Sequence, residues 1–273
     1  METPKTFEIS ENSSEKAENV FDKERLRRKL DDRYDVVVFG ADNDNEGKTG
    51  ELLDVVITGK DDERKVSLYE YMKDINSNVS ITAAVKNFVS GLIASHNAEG
   101  SIVLKGIRLS LQSLERLSGS EVIFHGLHEI GHLADYTEKD DENKRSSAEL
   151  RGALSHLQYL GEDLKNMPDY FKEKIISEER KAWAEAILLA RRIKKEHGID
   201  LFKYFGDVDD FMGFVRQAGL ESYEDVLGLP KTKEKQFKLW GKRRSRKKVE
   251  KFFEPLFKSI EKNVKEDFIE KTF

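Results

Sequence analysis

The segment His128-Glu129-Ile130-Gly131-His132 restricts what this chain can fold into more than any other stretch. Residues four apart share one face of an α-helix, so a helix here points the imidazoles of His128 and His132 at a single ion. Glu129 projects about 100° away from His128, where its carboxylate reaches a water on that ion and not the ion itself. Two nitrogen ligands, a general base, and positions left for a third ligand and a water are the parts of a hydrolytic zinc site. Phe124, Leu127, Ile130 and Leu133 surround the motif with apolar side chains, so the helix is expected to be embedded. A buried helix that carries two His and a Glu needs a reason to do so. The fold must therefore bring another element against this helix, close enough to complete the ligand set.

Composition narrows the chemistry of that set. The chain has no Cys among its 273 residues, which removes disulfides and thiolate ligands together. A zinc site here must use His and carboxylates, a donor set that suits a catalytic centre better than a structural one. The length allows one large domain or two modest ones with a real core. Charged residues make up 36 % of the chain but the net charge is only −5, so the overall balance names no partner; nucleic acid would favour a basic chain. The start, Met1-Glu-Thr-Pro-Lys-Thr-Phe-Glu8, lacks a basic region followed by an apolar one, and no run approaches 18 apolar residues. No membrane segment is expected, and the expected location is cytoplasmic.

Along the chain, residues 1–30 are rich in Glu, Lys, Ser and Asn and read as a flexible charged tail, with a short helix over 23–30. Order is expected from Tyr34. The β-branched runs 35–40 and 53–59 read as strands. Between them, Gly47-Lys48-Thr49 does not make a phosphate loop, because Asp42, Asp44 and Glu46 would repel the anion and a strand follows where a helix is needed. A calcium loop fails too, since its twelfth position is Leu53. A polar hairpin connection remains. Residues 81–95 carry Ile81, Ala84, Val85, Phe88, Val89, Leu92 and Ile93 at helical spacing behind Ser80 as N-cap. A strand over 101–109, interrupted by Gly106, precedes the motif helix, which is expected to begin near Glu121. Helices are then expected over 146–160 and 170–196, the latter ended by Gly198, and through most of 199–273 with a turn at 228–230. The domain reading is a tail over 1–30, a domain over 31–198, and a helical C-terminal extension over 199–273 with a basic run at 242–248.

A third ligand should come from a helix lying against the first. Starting from Glu179, one helical face carries Ala182, Trp183, Ala186 and Ala190. Small residues on that face let two helix axes approach closely, as a Glu reaching a shared ion requires. Glu178 and Glu185 fall elsewhere on the wheel. Two rivals follow Glu179: Glu149, on the intervening helix, and then Asp135, two turns after His128, able to bind the ion or to orient an imidazole. His156 is a further alternative, as a ligand or as an oxyanion donor. His125 reads as a helix-start residue.

H-E-I-G-H at 128–132 followed by E-R-K-A-W-x-x-A at 179–186 resembles the compact gluzincin metallopeptidases, most closely the ImmA/IrrE-like minimal zincins, over about residues 80–195. Trp183 departs from that pattern, which usually has Asn there, and Ile187-Leu-Leu-Ala-Arg-Arg192 replaces its usual apolar ending. The resemblance implies His128, His132 and Glu179 as zinc ligands and Glu129 as catalytic base. It also implies an α+β, zincin-like fold: a small twisted mixed sheet packed on a backing helix and on the active-site helix, with a mostly helical C-terminal region. The expected activity is peptide-bond hydrolysis of a protein substrate, with Glu129 moving a proton from the attacking water to the leaving amine. Ile102, Val103 and Leu104 of the strand over 102–109 are the expected edge to which an extended peptide adds. Tyr136, His156 and Tyr170 are unranked candidates for a second oxyanion donor.

Two readings of another class remain. Gly241-Lys-Arg-Arg-Ser-Arg-Lys-Lys248 beside Phe237 and Trp240 could hold a phosphate backbone through Arg243, Arg244 and Arg246, although a docking helix behind a solvated basic turn accounts for it more simply. The zincin-like fold could also serve as a non-catalytic interaction module.

Overall fold

Valine-rich runs build the first sheet. Strand β2 (Tyr34–Gly40) pairs antiparallel with β3 (Leu53–Gly59), Tyr34 opposite Gly59 and Gly40 opposite Leu53, so the connection between them is a hairpin. Strand β4 (Lys65–Ser67) continues the meander on one side and β1 (Lys23–Lys29) on the other, in the order β1-β2-β3-β4. The computed structural model describes residues 21, 23–41, 51–61, 64–83, 90–96, 102–139, 147, 169–224, 258 and 262.

β1 corrects the expectation of a tail with a short helix over 23–30. Its side chains are mostly exposed and charged, and only Leu26 and Arg28 are half-buried, so no apolar alternation announces a strand. What holds it is its ladder to β2, a bond from Arg28 to the Leu117 carbonyl (3.2 Å), and ion pairs of Arg27 with Asp35 (3.1 Å) and of Arg25 with Glu51. An outer strand dressed in charge is how sheets blunt their edges, and in sequence it looks like a solvated tail.

The second sheet holds three strands in the order β5-β7-β6, namely β5 (Ser80–Ala83), β6 (Gly91–His96) and β7 (Ile102–Leu109). β5 runs parallel to β7 and β6 antiparallel to it, so this sheet is mixed. The two sheets meet where Leu52 bridges Thr82 and the Ala83 amide donates to the Glu51 carbonyl at 2.7 Å. Where a helix is expected over 81–95, the described residues at its two ends are strands, β5 and β6, while Ala84, Val85, Phe88 and Val89 of the apolar stripe lie outside the described residues. Within β5, Ile81 and Ala83 are buried and Ser80 and Thr82 half-buried, the alternation of a strand. β7 runs on through Gly106, but its ladder to β6 is irregular there, Ile93 pairing with Gly106 and Ala94 with Leu104. The Gly106 φ of 147° and the Ser80 backbone lying against it leave no room for a side chain.

The helix that backs the motif helix is α1 (Leu68–Ile75), capped by Ser67 accepting from the Glu70 amide. It buries Leu68, Tyr71 and Met72, and Leu68 lies so close to Gly126 that a Cβ there would collide with it. After a short α2 (Leu111–Leu114), the motif helix α3 (Gly119–Glu138) begins at a full capping box: Ser118 accepts from the Glu121 amide, and Glu121 accepts from the Ser118 amide at 2.7 Å. Helix α4 (Asp169–His197) runs unbroken to Gly198, whose φ of 69° ends it.

A 3-10 turn (Leu201–Tyr204) and α5 (Val208–Glu224) follow. The core does not stop at residue 198: Phe202, Phe205, Phe211 and Phe214 belong to the same buried cluster as Phe124 and Trp183. Phe124 meets Phe202, Phe205 and Phe211 with ring centroids 4.9–5.5 Å apart. Residues 199–215 thus complete the core of the preceding segment and are no separate extension. The whole is an α+β arrangement in which α3 is covered by strands, α1, α4 and the C-terminal aromatics. No helix among the described residues is long and apolar enough to cross a membrane.

Candidate metal centre

Among the described residues, helices α3 and α4 form the most extensive helix pair, and one residue sets their distance. A Cβ on Gly131 would run into the Ala182 carbonyl oxygen, closer than real Cβ atoms come to any neighbour. Glycine inside a helix costs about 1 kcal/mol relative to alanine, and here it admits the facing backbone. The small residue expected to matter on α4 is therefore matched by a smaller one on α3, between His128 and His132.

That close crossing brings Glu179 between the two imidazoles. Glu179 Oε2 lies 3.0 Å from His128 Nε2, and Oε1 lies 3.0 Å from His132 Nε2. All three side chains are buried, and their donor atoms lie within 4.8 Å of one another. It is the one such His/Asp/Glu group among the described residues. Bonds of 2.0–2.2 Å to a tetrahedral ion hold its donors roughly 3.3–3.6 Å apart, a separation near that of each imidazole nitrogen from its Glu179 oxygen. Burial on its own would push the Glu179 carboxyl up; the charges of His132 and His128 and their ring N–H donors outweigh it and hold the group well below its ordinary range.

Glu129 follows His128 on α3 but joins none of this. It is 5 % exposed, and its Oε2 is buried with no hydrogen-bond partner. Buried carboxylate oxygens are ordinarily answered by a donor, and this one is not. The residues fit a metal: two imidazole nitrogens and a carboxylate converge, and a second carboxylate stays out of the set.

The remaining candidates distribute differently. Asp135 is buried but paired with Lys139 (2.7 Å) and Lys181 (3.1 Å), so it closes an ion-pair network and is not drawn to the imidazoles. Glu178, placed off the working face of the wheel in sequence, is buried as well: Ser147 Oγ donates to it at 2.6 Å and Lys139 Nζ at 3.0 Å. Lys139 thus joins the end of α3 to α4, a role that no local pattern signals. His125 lies in the second turn of α3, not at its start, with Nε2 2.8 Å from Ser90 Oγ, and burial lowers its pKa. Tyr136 is buried on α3. Glu149 and His156 lie outside the described residues, as do Arg243, Arg244, Arg246 and the side chain of Tyr170.

Ile102, Val103 and Leu104 belong to β7, the middle strand of its sheet, but β5 reaches only its second half, Gly106–Leu109. Residues 102–104 pair with β6 on one side, and among the described residues no strand pairs with them on the other. The outer strand packed on α3 is β6.

Sequence reasoning missed Trp183 as a neighbour of the site. Its indole stacks on the His128 ring, centroids 4.4 Å apart and planes 14° from parallel. The available signal was its position one turn after Glu179 on the same face. No protein-family model matches the chain, and neither a curated protein nor a solved structure matches it.

Proposed function

We propose that this protein is a zinc-dependent metallopeptidase of gluzincin type, with a zincin-like fold around His128, His132 and Glu179 as ligands and Glu129 as general base. The observation that carries the reading is the buried His-His-Glu group with the unpartnered Oε2 of Glu129, next in sequence to His128. The absence of Cys supports zinc held by nitrogen and oxygen in a reactive centre. A bound zinc ion supplies Lewis acidity, which makes water a nucleophile near neutral pH and polarises a carbonyl.

The chain's own residues do the rest. Glu129 accepts the proton of the attacking water and donates it to the leaving amine, for which a carboxylate held close but outside the ligand set is needed. Glu179 remains ionised and presents one oxygen to each imidazole side of the site. The aromatic and aliphatic packing around α3 excludes bulk water and strengthens electrostatic interactions within.

Glu129→Gln tests this directly. Hydrolysis of a quenched-fluorescence peptide library should fall roughly 10²–10⁴-fold, while the purified variant still carries one zinc per chain. Retained peptidase activity in that variant would sink the assignment. A second reading, a non-catalytic module, is favoured by the depth of the group, since a carboxylate 3.0 Å from two imidazoles can also be held by hydrogen bonds alone. Equimolar zinc without turnover, or no zinc at all, would select it.

A further inference from the structure

Trp183 occupies a place that a simple core residue would fill at lower cost. Its indole is fully buried and its Nε1–H has no hydrogen-bond partner. A buried N–H left without an acceptor costs about 1–3 kcal/mol, which Phe or Leu would avoid. What the position uses is the ring face. That face lies nearly parallel to the His128 imidazole, whereas the His132 ring is inclined to His128 by 56°. The side-chain torsion that turns an imidazole about its Cβ–Cγ bond has broad, shallow minima, and it decides where Nε2 points. A flat partner against the ring narrows it.

The indole is itself held from the C-terminal segment. Phe211 and Phe214 of α5 meet it edge-on, centroids 6.3 and 5.9 Å away and both planes at 87°. Phe211 also packs on Phe124 of α3 (4.9 Å), so the aromatic group spans the motif helix, α4 and α5. Such edge-to-face and stacked pairs contribute about 0.5–1.5 kcal/mol each beyond their burial.

We propose that Trp183 is a positioning residue of the metal centre: stacking on its indole fixes the ring plane of His128, and Phe211 and Phe214 hold the indole there. Metal affinity then depends on a helix that supplies no ligand. The inference rests on His128, His132 and Glu179 being the ligands.

The experiment uses the full chain. Because the protein has only two Trp, Trp240→Phe leaves Trp183 as the sole indole emitter. Stoichiometric Co²⁺ should quench that emission, and Zn²⁺ should reverse the effect by competition. Trp183→Leu, checked for folding by circular dichroism, should bind Zn²⁺ about 10–100-fold more weakly, the range seen when support of a ligating His is removed, with a shifted Co²⁺ visible spectrum. Trp183→Phe should recover affinity to within about threefold of the parent, and Phe214→Leu should fall between. A folded Trp183→Leu that binds Zn²⁺ as tightly as the parent with the same Co²⁺ spectrum overturns the proposal. So does emission of the Trp240→Phe protein that bound Co²⁺ leaves unchanged, a readout that needs no substitution at 183. A parent that takes up no Zn²⁺, indistinguishable from His128→Ala, overturns the ligand reading and the inference with it.

Discussion

The meander sheet and the α3–α4 crossing each sink a carboxylate to 5 % exposure, Asp54 in the first and Glu129 in the second, and they treat it in opposite ways. Asp54 on β3 receives the Ser67 hydroxyl at 2.6 Å and the Tyr69 amide at 3.0 Å, so both oxygens are answered. Those bonds tie β3 to the first turn of α1, and the carboxylate closes the framework. Glu129, on the helix that carries His128 and His132, keeps an oxygen without any partner. Depth is the same in the two places and satisfaction is not; a fold that leaves a buried polar atom open forgoes stability that it could have had.

The largest test of that contrast removes a ligand. His132→Ala should take bound zinc from one ion per chain to none by elemental analysis, whereas Asp54→Asn should leave the metal content of the parent. Equal metal in all three proteins would erase the distinction between the regions.

Next comes the distance between the helices. Gly131→Ala places a methyl group against the Ala182 backbone, which cannot give way as a side chain would. The helices must separate, at about 3 kcal/mol or more in urea unfolding, and Glu179 must lose contact with one imidazole. A variant of parental stability and metal affinity would show that the crossing accommodates a methyl group there.

The sheet acid has its own signature in pH. Burial pushes the Asp54 carboxyl up to about 6, against the hydrogen bonds from Ser67 and the Tyr69 amide. That value lies above the unfolded one of about 3.9, so near pH 5 the folded protein keeps a proton that the unfolded chain has lost. The stability associated with Asp54 is therefore fully present below about pH 4 and is lost as pH rises through about 6. Asp54→Asn should remove this slope, raising stability near pH 7 relative to pH 4 by up to roughly 2–3 kcal/mol in urea unfolding at the two pH values. A slope left intact would assign it to other groups.

The smallest effect is a control on glycine. Gly213 lies on the exposed side of α5 and a Cβ there meets nothing within 4 Å. Gly213→Ala should stabilise the protein by about 0.5–1 kcal/mol without altering metal uptake, the opposite sign to Gly131→Ala. A loss of stability on thermal unfolding would contradict the open environment.

Much of the site could be read residue by residue. His128, Glu129 and His132 lie within five positions, and helical spacing alone sets the relation between the two imidazoles. Glu179 was legible through Ala182, Ala186 and Ala190, whose small side chains announced a close helix neighbour. Glu178 was not, because its partners Ser147 and Lys139 lie 31 and 39 residues away. The strands 34–40 and 53–59 declared themselves by β-branched runs. β1 hid behind its charge, since a strand paired on one side and dressed for solvent needs no apolar alternation. β5 and the start of β6 read in sequence as the two ends of one helix, and that displaced the backing role from α1.

What the chain's own order of residues determined is local: a capped helix at 118–138 with His128 and His132 on one face, a hairpin around 41–52, a long helix stopped at Gly198, and a donor set without sulfur. These follow from interactions over a few residues, which a pattern of neighbours can encode. Only the tertiary structure decided that Glu179 and not Asp135 meets the imidazoles, that β7 is an inner strand, that Trp183 lies flat on His128, and that residues 199–215 close the same core. Each of these depends on the separation of two backbones far apart in sequence, and at the centre that separation is set by the absence of one side chain at Gly131.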